Sequence, residues 1–169
     1  MTATRPDTLS RDEAERFVIH EVRLLDRLEL EAWNALFTED GLYWIPVEAN
    51  ADVRNQAAII RDDRLRREER VHHQLHNPFP AQSPRSRTLH FVSNVEVVPH
   101  ADHVEVLSNQ LIHEMRTGDH KQIGLGSTQA FAAEVCYDLR WEGERWRIAL
   151  KKVLLLNRDS WLGNLTFMI

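Results

Sequence analysis

The sequence predicts an α+β fold, a long N-terminal helix held in a curved sheet, and three observations carry that expectation. Apolar residues recur at helical spacing early in the chain: Phe17, Val22, Leu25, Leu28, Trp33 and Leu36. Beyond Arg85 the period changes to alternation, most clearly in Phe131, Val135, Tyr137, Leu139 and Trp141. Between the two regimes Pro78, Pro80 and Pro84 interrupt regular structure. Helices followed by strands, rather than alternating with them, is the α+β order.

Residues 1–9 read as a loose arm and residues 10–169 as a single domain, the usual outcome for a chain of 169 residues. Ser10 opens a capping box with Glu13, while Asp12 and Glu15 put negative charge where the helix dipole favours it. The apolar stripe, broadened by Leu24, Leu30 and Phe37, predicts one helix running to about Thr38. Glu39-Asp40-Gly41 is expected to end it. Leu42 to Val47 then reads as a short strand, which Pro46 restricts to an edge or a bulge. Ala57 to Ile60 is a second short apolar stretch. From Arg61 to Leu75 the chain is dense in Arg, Asp and Glu, with Leu65 and Val71 among the few apolar residues. That is the pattern of a solvated or interfacial helix.

In the alternating half, Leu89, Phe91, Val95 and Val97 are expected on one face of a strand. His90, Val92, Asn94 and Glu96 are expected on the other. Residues 103–116 form the next strand after a hairpin at Pro99 to Asp102, and Thr117-Gly118-Asp119 marks a turn. In the third strand the apolar set alternates with Thr128, Glu134, Asp138 and Arg140. Glu142-Gly143-Glu144 turns the chain into Trp146, Ile148 and Leu150, continuing through Val153 to Leu156. The sheet should be mixed but mainly antiparallel.

Composition narrows the function. A net charge of −5 without a basic tract argues against nucleic acid. The longest aliphatic run, Val153 to Leu156, is far too short to span a bilayer, and Met1 to Pro6 lacks the apolar core of a signal peptide. Cys136 is the sole cysteine, so no intrachain disulfide forms and a cytoplasmic location is expected. With Glu134 and Asp138 beside it, its thiol should be a poor nucleophile. Gly124-Leu125-Gly126-Ser127 lacks the lysine and the following helix of a phosphate loop and suits a bulge or the start of a strand.

His72 and His76 have the spacing of a zinc helix, but His73 stands where that motif carries Glu, and Asn77-Pro78 stops the helix. A surface or subunit-contact role is the reading for all three. The mixed-sign run of Arg61, Arg64, Arg66, Arg67 and Arg70 with Asp62, Asp63, Glu68 and Glu69 is a solvated face, or sets register across an interface. The apolar tail Leu165 to Ile169 should be ordered, as an added strand or buried against another subunit.

Several segments in order resemble the beta (small) subunits of aromatic-ring-hydroxylating dioxygenases, the benzoate- and cumate-type enzymes. They are Glu21-Val22-Arg23-Leu24-Leu25-Asp26, Trp33 with Leu36-Phe37, and Asp40-Gly41-Leu42-Tyr43-Trp44-Ile45-Pro46. Further pieces are Ser83 to Thr88, Phe91 to Val95, Trp146 to Ala149, Lys151-Lys152-Val153 and Asn157-Arg158-Asp159. The resemblance covers nearly all of the chain from Glu15. It implies a nuclear-transport-factor-2-like (cystatin-like) cone and assembly with a large alpha subunit, a homotrimer of beta subunits within an alpha3beta3 oligomer. It places the Rieske cluster and mononuclear iron in the alpha subunit and NAD(P)H at a reductase. A Rieske centre takes two cysteine and two histidine ligands, which agrees with a chain holding one cysteine having no such cluster. No catalytic, cofactor-binding or metal residue is therefore assigned to this chain, and it is expected to support the assembly without independent activity.

The alternative is a stand-alone dehydratase or isomerase. Cone-shaped folds of this class also carry acid–base pairs in the space between helix and sheet. Thr88-Leu89-His90-Phe91 is similar to the scytalone-dehydratase-like relatives. Asp26, His90 and His113 would form the site, with Asp40 nearby and Tyr43 polarising a carbonyl. The competing reading makes Asp26 and His90 a hydrogen-bonded interior pair. A third reading is a ligand-binding cone without chemistry.

Overall fold

The computed structural model describes residues 8–54, 56–77, 82–118, 125–160, 162 and 165–169. Most of the arm, Pro78, Pro80, Asp119 and Gly124 therefore lie outside the described residues. Leu9, assigned above to the arm, is buried in the core beside the first helix. Helix α1 spans Arg11–Asp26, and the Ser10–Glu13 capping box forms in both directions.

The single helix expected to Thr38 is broken. A short α2, Leu30–Asn34, follows a sharp corner. At that corner Leu28 takes a φ of 56°. The Glu29 amide donates to the Leu24 carbonyl and the Leu28 amide to that of Leu25. This is a Schellman ending with leucine, not glycine, in the left-handed position, so the usual sequence marker is missing.

The first strand starts earlier than expected. Strand β1 runs Phe37–Pro46, and Glu39-Asp40-Gly41 lies inside it rather than ending a helix. These residues form a bulge: Phe37 pairs with Ile148, and the next partner pair is Leu42 with Leu150. A Cβ at Gly41 would sit 2.7 Å from the Ile148 carbonyl oxygen, which explains the glycine. Pro46 marks a second irregularity, against β2, Ala58–Asp62. Its bulge reading stands, but β1 is an interior strand.

Helix α3, Arg64–His76, is capped by Asp63 and largely exposed, with Val71 and Arg67 as its buried residues. Arg67 departs from the solvated reading. Its guanidinium lies over the Phe37 ring and donates to the Gly41 carbonyl and Asn34.

Strands β3 (Arg87–Pro99), β4 (Val104–Met115), β5 (Thr128–Glu142) and β6 (Arg145–Leu155) complete a six-stranded sheet in the order β2-β1-β6-β5-β4-β3. All neighbours are antiparallel except β1 and β6. Helix α1 lies against β3 on the inner face of the sheet.

Two bulges correct the face assignments. In β3 the register shifts between Ser93 and Glu96, with Asn94 at φ 53°. The extra residue reverses the alternation, so His90, Val92, Val95 and Val97 turn inward while Leu89 and Phe91 turn outward. In β6 a shift opposite Asp138 and Leu139 brings Ile148, Lys151, Val153 and Leu155 onto the buried side. A lysine thereby enters the core. No helix among the described residues is long and apolar enough to cross a membrane.

Candidate functional site

The interior of the cone is built around the buried pair Glu21 and Lys151, brought together across 130 positions of sequence. Both side chains are 0% exposed, and Lys151 Nζ donates to Glu21 Oε1 at 2.7 Å. Trp33 Nε1 donates to the same oxygen, and the Tyr137 hydroxyl donates to Glu21 Oε2 at 3.1 Å. Gln110 Nε2 in turn donates to the Tyr137 oxygen at 2.9 Å. The ammonium also faces the rings of Trp33, Tyr43 and Tyr137 at 6.0, 5.8 and 5.7 Å from their centroids. Burial pulls the Lys151 pKa below its usual value against the raising influence of Glu21. The Tyr137 hydroxyl is pushed well up, first by burial and then by the Glu21 charge. These groups hold one another instead of offering a reactive atom to a ligand.

Residues 165–169 fill what remains. Phe167, Met168 and Ile169 are buried in the chain's own core, and Phe167 meets Phe131 edge-on at 5.5 Å. The Ile169 amide donates to the Tyr43 hydroxyl at 3.1 Å, and Gln82 donates to the Thr166 hydroxyl at 2.5 Å. The apolar tail thus adds no strand to the sheet but packs into the chain's own core, where it plugs the mouth of the cone. Among the described residues, a cavity lined by Leu25, Leu30, Gln82, Thr88, Phe167 and Met168 measures about 10 Å³. One water needs at least about that much.

The expected acid–base set assembles only in part. Asp26 and His90 do meet, with His90 Nδ1 2.6 Å from Asp26 Oδ1. Asp26 also accepts from Thr88 Oγ1 at 2.8 Å and from the His90 amide at 3.1 Å. Burial raises the Asp26 pKa, but these hydrogen bonds and the His90 charge outweigh it and leave the carboxyl below its ordinary value. The pair ties the end of α1 to β3. His113 is not beside it, because it pairs across from Leu89 on the outer face and packs edge-on to Phe91 at 5.9 Å. Asp40 is bound to Arg140 and Thr38 in the β1 bulge. The Tyr43 hydroxyl is engaged by Ile169, and burial raises its pKa.

His72 and His76 meet on the exposed side of α3 with centroids 4.9 Å apart and ring planes tilted by 48°, and His73 contacts Asn77. Of the charged run, Arg64 reaches Glu39 and Glu68, and Arg70 grips the buried Asp62. The Cys136 thiol is pushed up to about 12, as the sequence suggested. Burial is the main cause, followed by Asp138 and by Glu105 from the neighbouring strand, a contributor invisible in the sequence.

The outer face is open where the inner one is full. Leu89 and Phe91 on β3 are 55% and 53% exposed, and Leu111 and Met115 extend the same apolar surface along β4. A groove of about 310 Å³ runs along this face beside Leu111, and a larger one of about 1190 Å³ opens at the other end of β3 to β6, where Leu9, Val95 and Val104 line it together with the outward Glu105 and Cys136. The face assignment derived from simple alternation hid this surface.

Such an architecture, a cone closed inside and apolar outside, defines a class of small α+β domain. A solved NTF2-like protein with a cystatin-like fold from Novosphingobium aromaticivorans shares its fold at a TM-score of 0.58 and 17% identity, over 87% of this chain and 82% of that one. The beta subunit of benzoate 1,2-dioxygenase from Burkholderia mallei aligns at a TM-score of 0.74 and 21% identity, covering 96% of this chain and 100% of that one. In sequence, the small oxygenase component of the p-cumate 2,3-dioxygenase system of Pseudomonas putida is 33% identical over 151 residues, 87% of this chain and 79% of the relative. The family profile described as ring hydroxylating beta subunit matches residues 20–159. The chain belongs to that family, the small subunits of ring-hydroxylating oxygenases.

Proposed function

We propose that this chain is the non-catalytic scaffold of an aromatic-ring-hydroxylating dioxygenase, holding large alpha subunits in an alpha3beta3 assembly around a beta trimer. The alpha subunit would carry the Rieske cluster and the mononuclear iron and would form a cis-dihydrodiol, with electrons from NAD(P)H delivered through a reductase. A single cysteine does not fit the ligand set of a Rieske cluster, so no redox step is derived for this chain.

The observation that carries the reading is the contrast between the two faces of the sheet. Between helix and sheet the aromatic rings, the tail and the Glu21–Lys151 network pack closely, and the space beside Thr88, Phe167 and Met168 is about 10 Å³, too little for an aromatic substrate. Outside, Leu89, Phe91, Leu111 and Met115 form the contiguous apolar surface that marks a contact site. In the assembly this surface is covered by a neighbouring subunit.

Co-expression with the cognate alpha subunit tests the proposal. A stable mixed oligomer is expected, with oxygenase turnover only when both chains are present. Turnover of an aromatic or hydroxylated polycyclic substrate by this chain alone, lost on His90→Ala, would instead establish the dehydratase or isomerase reading.

A further inference from the structure

A second feature of the outer face lies at the tip of the β3–β4 hairpin. Glu105 on β4 stands directly across from Asp138 on β5, and Cys136 is two residues along β5 on the same face. Two carboxylates opposed across strands repel each other. One ligand atom from each of Glu105, Cys136 and Asp138 lies within 4.8 Å of the others. The hairpin adds two imidazoles, His100 and His103, stacked at 4.5 Å with planes 8° apart. Their Nε2 atoms face the same carboxylates, His100 at 3.7 Å from Glu105 and His103 at 3.8 Å from Asp138.

The arrangement around His103 is the more telling. Its Nδ1 lies 2.8 Å from Asp102 Oδ1, a carboxylate behind the ring. Histidines that bind metals are commonly oriented this way, donating one nitrogen to a carboxylate and turning the other to the ion. Sulfur, imidazole and carboxylate donors together suit a borderline-soft divalent ion. We propose that Cys136, Glu105, Asp138 and His103 form a binding site for a divalent transition metal, with Zn²⁺ as the reference ion and Asp102 orienting the histidine.

A four-coordinate Zn²⁺ holds its ligands about 3.3 to 3.8 Å apart, given metal–ligand bonds of about 2.0 to 2.3 Å. Closing Glu105, Cys136 and Asp138 on the ion therefore takes side-chain movements on the order of an ångström, and His103, whose Nε2 lies 3.8 Å from Asp138, joins them from the hairpin. The other charged group facing it is Lys152 on β6, paired with Cys136. Its ammonium is turned aside to the Ala49 carbonyl at 3.0 Å and lies over the Trp44 ring. The bound ion would clamp the hairpin to β5. It would also replace a proton: the Cys136 thiol, pushed up to about 12 by burial and its carboxylate neighbours, ionises on coordination. Affinity should therefore rise with pH.

The test is a Co²⁺ titration of the full-length chain after chelator treatment. One equivalent should bind, with the visible bands of a four-coordinate ion and a near-ultraviolet sulfur-to-cobalt charge-transfer band, both bleached by Zn²⁺. Because Cys136 is the only cysteine, that band identifies its ligand without a variant. Cys136→Ser should abolish it, and Asp102→Asn should weaken binding about 10-fold. Replacing His72 and His76 by Ala should change nothing. Cobalt binding without a thiolate band, no saturable binding, or a band surviving Cys136→Ser would each overturn the proposal. None of these outcomes depends on the alpha subunit, so they do not bear on the assembly role.

Discussion

The two faces of the sheet satisfy their side chains in opposite ways. On the inner face, most polar groups are buried and paired within the chain, Glu21 with Lys151, Asp26 with His90, and Ser86 with Glu114 at 2.6 Å, while His90 Nε2 and Gln110 Oε1 are buried without a hydrogen-bond partner among the described residues. On the outer face, apolar groups are exposed and find no cover within the chain, with Leu156 at 74% exposure the extreme case. A catalytic cone needs the reverse, an open interior lined by polar groups with room for a ligand. The difference teaches that polar residues inside a cone are not evidence of a site until space is found beside them.

Substitutions at Lys151 should break the comparison most severely. Lys151→Met leaves the Glu21 carboxylate buried without its cation, and a loss of about 3 to 5 kcal/mol in urea unfolding is expected. Pairing it with Glu21→Leu should cost much less than the sum of the two single changes, because the two sites share one interaction. Next comes the plug. Phe167→Ala should cost about 3 kcal/mol and enlarge the small space beside Thr88, which binding of an apolar fluorescent probe would report.

A smaller effect is expected at the α1–β3 tie. Folding lowers the Asp26 pKa, so near pH 4 the native state binds fewer protons than the unfolded chain. Its contribution is therefore full above the ordinary aspartate value of about 3.9 and is lost as pH falls below it. Asp26→Asn should cost about 1 to 2 kcal/mol at neutral pH and flatten the acid limb of the stability profile. Least affected in stability should be the outer face. Because Phe91 and Leu111 are cross-strand partners, Phe91→Lys with Leu111→Glu places opposite charges together and should shift unfolding by no more than about 0.5 kcal/mol each while abolishing subunit contacts, as sedimentation would show.

Much of the architecture was legible because burial imposes periodicity. The capped first helix, the β3–β4 hairpin and the inward set Phe131, Val135, Tyr137 and Leu139 all follow from pattern alone. The errors arose where one residue takes a backbone shape its type does not advertise. Leu28 ends a helix in the position glycine usually holds, and Asn94 adds a residue that reverses a strand's faces. The bulge in β6 likewise sent Lys151 inward, so its pairing with Glu21 left no local trace. The Asp26–His90 contact follows from the sequence, whereas His113 lies on the opposite face, because inward and outward are defined only by register. The hairpin cluster draws its ligands from β4, β5 and the turn between β3 and β4, with no motif spacing to announce it.

The central claim is that the outer face, not the cone, is what this chain contributes. Its most direct test is the mass of the complex formed when the chain and its alpha subunit are co-expressed, with and without Phe91→Lys and Leu111→Glu. The account predicts a mixed oligomer with the unaltered chain, and folded but separate subunits with the doubly substituted one. A doubly substituted chain that still assembles with the alpha subunit at full stoichiometry would contradict it.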